Sequence, residues 1–154
     1  MDQTQNIVHR FESLVKESPE AVLLIDEHRT WTRLEISGYV NALAGQLKEH
    51  VVPGMHVGIL ISDSASYASA FLALVKLGAL VIPFHPHWPG EVIKRCEERM
   101  QVSYFVVDSH NRREAGRLNT PYYLMKRADE IWKEQAKDVS GVDDVCLDEP
   151  FLMM

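Results

Sequence analysis

Residues 52–84 read VPGMHVGILISDSASYASAFLALVKLGALVIPF, and the periodicity of this stretch sets the fold class. Pro53-Gly54 is a turn dipeptide, and Val57 to Ile61 follow as a short, almost wholly apolar strand. Gly58 removes a side chain from that strand, which predicts the close approach of another backbone or helix. Asp63 and Ser64 offer helix caps. Ala65 to Leu77 reads as a helix that is apolar nearly all round (Tyr67, Ala68, Phe71, Leu72, Leu74, Val75), so an interior position is expected, with Gly78 as its stop. The next strand, ALVIPF, is expected to end at Phe84, because Pro83 cannot donate to a central ladder. Strand, helix and strand within so few residues describe a βαβ unit.

The same alternation extends in both directions. Ile7, Val8, Phe11, Leu14 and Val15 recur at helical spacing, Pro19 stops that helix, and AVLLID (21–26) reads as a strand. Thr32 with Glu35 is a capping-box pair ahead of an apolar stripe, Ile36, Val40, Leu43, Ala44 and Leu47, which predicts a helix running to about His50. Downstream, PGEVIKRCEERM (89–100) reads as a helix with Pro89 in its first turn and Val92, Ile93, Cys96 and Met100 facing inward. SYFVVD (103–108) is a strand, SHNRREAGRLN (109–119) a polar connection or short helix, and PYYLM (121–125) a further short strand. ADEIWKEQA (128–136) is expected to be a helix with Ile131 and Trp132 on one side. Residues 138–149 read as an acidic linker into a final strand, FLMM (151–154). The expected fold is therefore α/β: a largely parallel sheet with helices on both faces.

Composition narrows the function classes. The chain has 154 residues, a formal charge of −6 and a pI near 5.6, a balance that argues against a nucleic-acid footprint or an anionic membrane as partner. No segment reaches the roughly 18 apolar residues of a transmembrane helix, and the N-terminus lacks a signal-peptide pattern. Cys96 and Cys146 follow no paired spacing, so reduced thiols in a cytoplasmic protein are expected.

Open α/β sheets bind ligands at the carboxyl ends of their strands, here the loops after Ile61, Phe84 and Asp108. None carries a GxGxxG or GxxxxGK[ST] pattern, so clustered amides to cradle phosphate are missing from this sequence. In HPHWP (85–89), His85 and His87 invite a metal reading, but no third ligand stands at a recognisable spacing. Ser62 and Ser64 lack the GxSxG elbow of a nucleophile, and helix capping accounts for them. Cys96 shares a face with Ile93 and Met100, the position of an inert thiol. Arg112, Arg113 and Arg117 are expected to form a solvated face.

Three stretches, in order and over essentially residues 7–154, resemble the N-terminal part of the adenylate-forming superfamily of acyl-CoA synthetases, luciferases and peptide-synthetase adenylation domains. TWTRLEISGYVNALAGQL (30–47) is similar to the first core motif, with Ile36 after Glu35 where Leu is usual. Residues 52–89 resemble the stretch from a Pro-Gly-Asp turn through the second core motif, with His56 following Met55 where Asp is common. DEPFLMM (148–154) resembles the lead-in to a Ser/Thr/Gly-rich phosphate loop.

The resemblance implies an ATP-dependent ligase that makes an acyl-adenylate from a small-molecule carboxylate and passes the acyl group to a thiol, using Mg2+ and coenzyme A. It also implies that residues 1–154 are an N-terminal fragment of an AMP-binding domain, with the phosphate loop, acid pocket and C-terminal domain absent. No catalytic residue carries over, and no cofactor is expected to be bound by the fragment itself. One transfer is implied at the loop after the second motif: His87, with Lys94 and Arg95, near the nucleotide end of coenzyme A. The favoured expectation is an inactive segment of an acyl-CoA-ligase-type enzyme rather than of a peptide synthetase, self-associating through exposed sheet or helix surface. The alternatives are a non-catalytic stand-alone α/β binding module and a His-based metal protein.

Overall fold

In the computed structural model, which describes residues 6–27 and 29–128, the first element is α1 (Ile7–Glu17). Asn6 caps it by accepting the Val8 N–H at 2.8 Å, and the helix buries Val8, Phe11 and Val15. β1 (Val22–Ile25) pairs antiparallel with β2 (Thr30–Thr32). This hairpin was not legible beforehand, because its second strand is three residues long and its turn lacks glycine. Asp26 closes the turn instead. Its carboxylate accepts the Arg29 N–H at 2.9 Å and the indole N–H of Trp31 at 2.8 Å, which lets Trp31 be wholly buried with its polar atom satisfied.

Thr32 then begins α2 (Arg33–Leu47) through the expected capping box. The Thr32 hydroxyl accepts the Glu35 N–H at 3.2 Å, and the Glu35 carboxylate accepts the Thr32 N–H at 2.9 Å. Two helix-end donors are satisfied reciprocally. Every member of the expected stripe, Ile36, Val40, Leu43, Ala44 and Leu47, is buried.

The remaining elements are β3 (His56–Leu60), α3 (Ser64–Lys76), β4 (Leu80–Pro83), α4 (Gly90–Arg99), β5 (Tyr104–Val107), a 3-10 turn (Ser109–Asn111), α5 (Arg112–Ala115) and β6 (Tyr122–Leu124). Their strands form a four-stranded sheet, all parallel, in the order β4-β3-β5-β6. Strand alternation divides the side chains between two cores. Val57, Ile59 and Val106 face a core built with α1, α2 and α3, whereas Leu60, Phe105 and Val107 face one closed by Ile93 of α4 and Ala115 of α5. Helices thus cover both faces, as the α/β reading requires.

Four local expectations are refined. The space above Gly58 is filled by the rings of Phe105 and Phe84, not by a backbone or helix. β4 ends at Pro83, one residue before the expected Phe84, and it tolerates the proline because among the described strands β4 is at the edge and leaves one side of its backbone without a ladder. Met100 is 46% exposed, and its place on the inner face of α4 is taken by Glu97. Met100 is the C-cap, followed by Gln101 at φ 52, so the chain turns away there, while the Glu97 carboxylate accepts the Thr120 N–H at 3.2 Å. Finally, Tyr67, Ala68 and Phe71 of α3 are only half-buried, lining a groove of about 480 Å³ with α1 and β1. Beyond its first residue, Ala128, the expected helix at 128–136 lies outside the described residues, as do the acidic linker, the strand at 151–154 and Cys146.

Candidate functional site

The carboxyl ends of β3 and β5 meet in a buried polar network. Asp108, just past β5, has no exposed surface. Its carboxylate accepts the Ser62 N–H at 2.8 Å, the Asn111 N–H at 3.2 Å and the Asn111 side-chain amide at 2.6 Å. The same Asn111 amide donates to the Ser62 hydroxyl at 2.9 Å. One carboxylate therefore ties the β3–α3 loop to the 3-10 turn, with charge-assisted bonds worth roughly twice their neutral equivalents.

Asp63, 8% exposed, is the N-cap of α3 and accepts the Ser66 N–H at 2.9 Å. Its other oxygen accepts from Arg127 Nε at 3.1 Å. Arg127 also donates through Nη1 to His110 Nε2 at 2.8 Å. Beside it the Ser66 hydroxyl accepts the Ala128 N–H at 2.7 Å. A shallow cavity of about 280 Å³ opens here, lined by Ser62, Asp63, Ser64 and Tyr67. Burial raises the Tyr67 phenol above its ordinary value of 10.0.

Chemically, the arrangement is a framework. Both carboxylates are spent on holding loops, so neither is poised as a base or nucleophile, and two buried acids make the mouth a poor seat for phosphate. Of the three residues that sequence spacing reads as caps, Asp63 caps α3, whereas Ser62 joins the Asp108 network instead, and no motif spacing marks Asn111 or Arg127. The available signal was an Asp closing an apolar strand with Asn three residues on, an Asx-turn pattern.

The loop after β4 is the other candidate region. His85 Nδ1 accepts the His87 N–H at 3.1 Å, and Trp88 packs edge-on against Phe84 with centroids 6.3 Å apart. His85, His87 and Trp88 are exposed, and their rings cluster with centroids 5.4–6.2 Å apart. Lys94 and Arg95 lie exposed on α4. Lys94 lines a cavity of about 370 Å³ with Glu91, Glu114 and Arg117, which neither His87 nor Arg95 reaches. Among the described residues no three His, Cys, Asp or Glu side chains gather as a metal centre. No helix among them is long and apolar enough to cross a membrane.

A family profile described as AMP-binding enzyme matches residues 11–150. The chain belongs to the AMP-binding enzyme family. Among curated relatives, this chain is 33% identical to tyrocidine synthase 2 of Brevibacillus parabrevis over 107 residues, covering 69% of the chain and 3% of that protein. It is 39% identical to malpibaldin synthetase of Mortierella alpina over 88 residues, covering 56% of the chain and 2% of that protein. The chain thus spans only a few hundredths of the length of the curated relatives it matches.

Among solved structures, the N-terminal subdomain of Klebsiella oxytoca NpsA in complex with anthranilyl-AMSN superposes with a TM-score of 0.68 at 20% identity, covering 83% of this chain and 32% of that one. The nonribosomal peptide synthetase FmoA3, in its alpha-methyl-L-serine-AMP bound form, gives 0.69 at 19% identity, covering 84% and 15%. At these identities the superpositions speak for the fold. It is that of the N-terminal subdomain of adenylate-forming enzymes.

Proposed function

We propose that the chain is the N-terminal segment of an ATP-dependent carboxylate-activating adenylation domain, serving as scaffold rather than as catalyst. The carrying observation is the family match across residues 11–150 on a parallel sheet whose carboxyl-end acids are consumed in loop-holding bonds. Activating a carboxylate needs amides, hydroxyls, a cation and Mg2+ arranged around phosphate, and no glycine-rich loop occurs in these 154 residues. The relatives' names favour a peptide-synthetase setting over the acyl-CoA-ligase setting, with an amino or aryl acid as substrate and a carrier-bound thiol as acceptor.

The ring cluster of His85, His87 and Trp88 supports a second reading. It offers a stacking platform, and Lys94 and Arg95 on the following helix suit phosphate, so coenzyme A binding through His87, Lys94 and Arg95 remains part of the proposal. Calorimetric titration separates the two. ATP with Mg2+ is expected to give no heat of binding, and saturable binding of it would overturn the scaffold reading. Saturable coenzyme A binding, lost in Lys94→Ala/Arg95→Ala, would establish the second reading. The exposed Ile7 and the α1–β1–α3 groove further support self-association of the isolated chain; a concentration-independent monomer mass in light scattering would refute that part.

A further inference from the structure

The groove between α1, β1 and α3 has a composition that specifies a ligand. Its volume is about 480 Å³, within the range of small-molecule sites. α1 contributes Phe11 and Leu14, β1 contributes Leu23 and Leu24, and α3 contributes Phe71 and Leu72. On α1 the lining residues Ile7, Arg10, Phe11 and Leu14 stand at i, i+3, i+4 and i+7, so they share one helix face about 10 Å long. Arg10 is the one charged residue on that face. Its side chain is exposed at the groove, and Glu12, two positions on, pairs with Lys76 at 3.2 Å instead. Arg10 forms no ion pair among the described residues.

The only other polar side chain lining the groove is Tyr67. Burial raises its phenol above 10.0, so near neutral pH it keeps its proton and can donate. A guanidinium and a phenol, with no carboxylate or amide beside them, favour an acceptor head group, and the guanidinium fork matches a carboxylate. The other cavities lack this combination. The one beside α4 mixes Lys94 and Arg117 with Glu91 and Glu114, and the shallow one at the end of β3 contains Asp63. A cavity of about 380 Å³ between α2 and β6 has a single cation, Lys126, but Gln46, Ser69 and Tyr123 make its wall polar. Ten residues line the α1–β1–α3 groove, where a standard protein interface engages about 20–30 a side. Association through it alone is therefore weak, and a small ligand is the better match.

We propose that this groove binds a free single-chain carboxylate, with the alkyl chain between α1, β1 and α3 and the head group on Arg10. The proposal stands apart from the adenylation reading, and its test contains no ATP. The 154-residue chain is titrated calorimetrically with dodecanoate below its micelle concentration, with dodecyltrimethylammonium as the control of opposite charge. One saturable site is expected, about fivefold tighter for dodecanoate, the scale of an exposed ion pair. Arg10→Ala should abolish that preference while leaving both chains bound. Ile7→Asp puts an acid in the first turn of α1, where the helix dipole favours it, and should reverse the preference. Spin-labelled dodecanoate should broaden the ring resonances of Tyr67 and Phe71 and spare Phe84 and Phe105, which belong to the other core. Absence of a saturable site, equal affinity for the two head groups, or a preference that survives Arg10→Ala would overturn the proposal. Broadening at Phe84 or Phe105 in place of Tyr67 and Phe71 would do the same. Affinity that falls as the protein is concentrated would assign the groove to a second copy, and binding to phosphatidylglycerol vesicles but not to free dodecanoate would assign it to a membrane; either result overturns the proposal.

Discussion

The tightest contact in the fold lies above Gly58. A Cβ placed there would stand 2.5 and 2.7 Å from two carbons of the Phe105 ring and 3.0 Å from the Phe84 ring. Neither ring can swing into solvent, since Phe105 has no exposed surface and Phe84 is 2% exposed, and the two pack against each other at an interplanar angle of 57° with centroids 5.1 Å apart. Gly58→Ala must therefore move ring, strand or both. Overpacking of this kind costs about 1–3 kcal/mol, and the lower chain entropy of Ala returns about 0.5–1 kcal/mol. Because the closest approach is 2.5 Å, the clash belongs in the upper part of that range, about 2–3 kcal/mol, and the net expectation is a destabilisation of about 1–2.5 kcal/mol. Urea denaturation should show it as a lower midpoint with an unchanged slope. The cause is checked by adding Phe105→Leu, which vacates part of the contested space. The double variant should be less destabilised than the sum of its parts by about 1 kcal/mol, a coupling expected only between touching residues. A Gly58→Ala protein as stable as the parent, or strict additivity, would refute the account of this contact.

Three further outcomes are expected. Asp108→Asn keeps the shape but turns one acceptor into a donor facing the N–H groups of Ser62 or Asn111, and leaving a buried donor unsatisfied should cost about 1–3 kcal/mol in the same denaturation assay. Thr32→Ala removes half of the α2 capping box and should cost about 1 kcal/mol, seen as a lower melting temperature. Burial raises the phenols of Tyr67 and Tyr123 above 10.0, and burial followed by the neighbouring Tyr123 raises that of Tyr104. The unfolded chain therefore loses these protons first as pH climbs, so their contribution is intact below pH 10 and declines above it. Phenolate absorbance should then rise in step with the loss of helical circular dichroism; phenols that ionise near 10 in the folded protein would contradict this.

Legibility in sequence followed how local the determinant was. The α2 capping box and the stripe behind it are set by residues three and four apart, and so is the Asp63 cap, whose side chain accepts from Ser66. The β1–β2 hairpin depends on Asp26 reaching Trp31 across a turn without glycine, a pairing that periodicity does not encode. The exposed Met100 and buried Glu97 differ from the expected pattern because the Glu97 carboxylate bonds to Thr120, 23 positions on. The Asp108 network joins Ser62 to Asn111 across 49 positions. Each half reads alone as a cap or turn, and only strand order brings the two together. Family membership was legible because motif order survives where individual contacts do not.

The central claim, that this chain contributes the scaffold of an adenylation domain and not its chemistry, is tested most directly by carboxylate-dependent ATP–pyrophosphate exchange. The purified 154-residue chain, assayed with Mg2+ against amino, aryl and fatty acids, should give no exchange above a no-carboxylate control. Exchange that depends on a particular carboxylate would place the phosphate-binding chemistry within these residues and contradict the account.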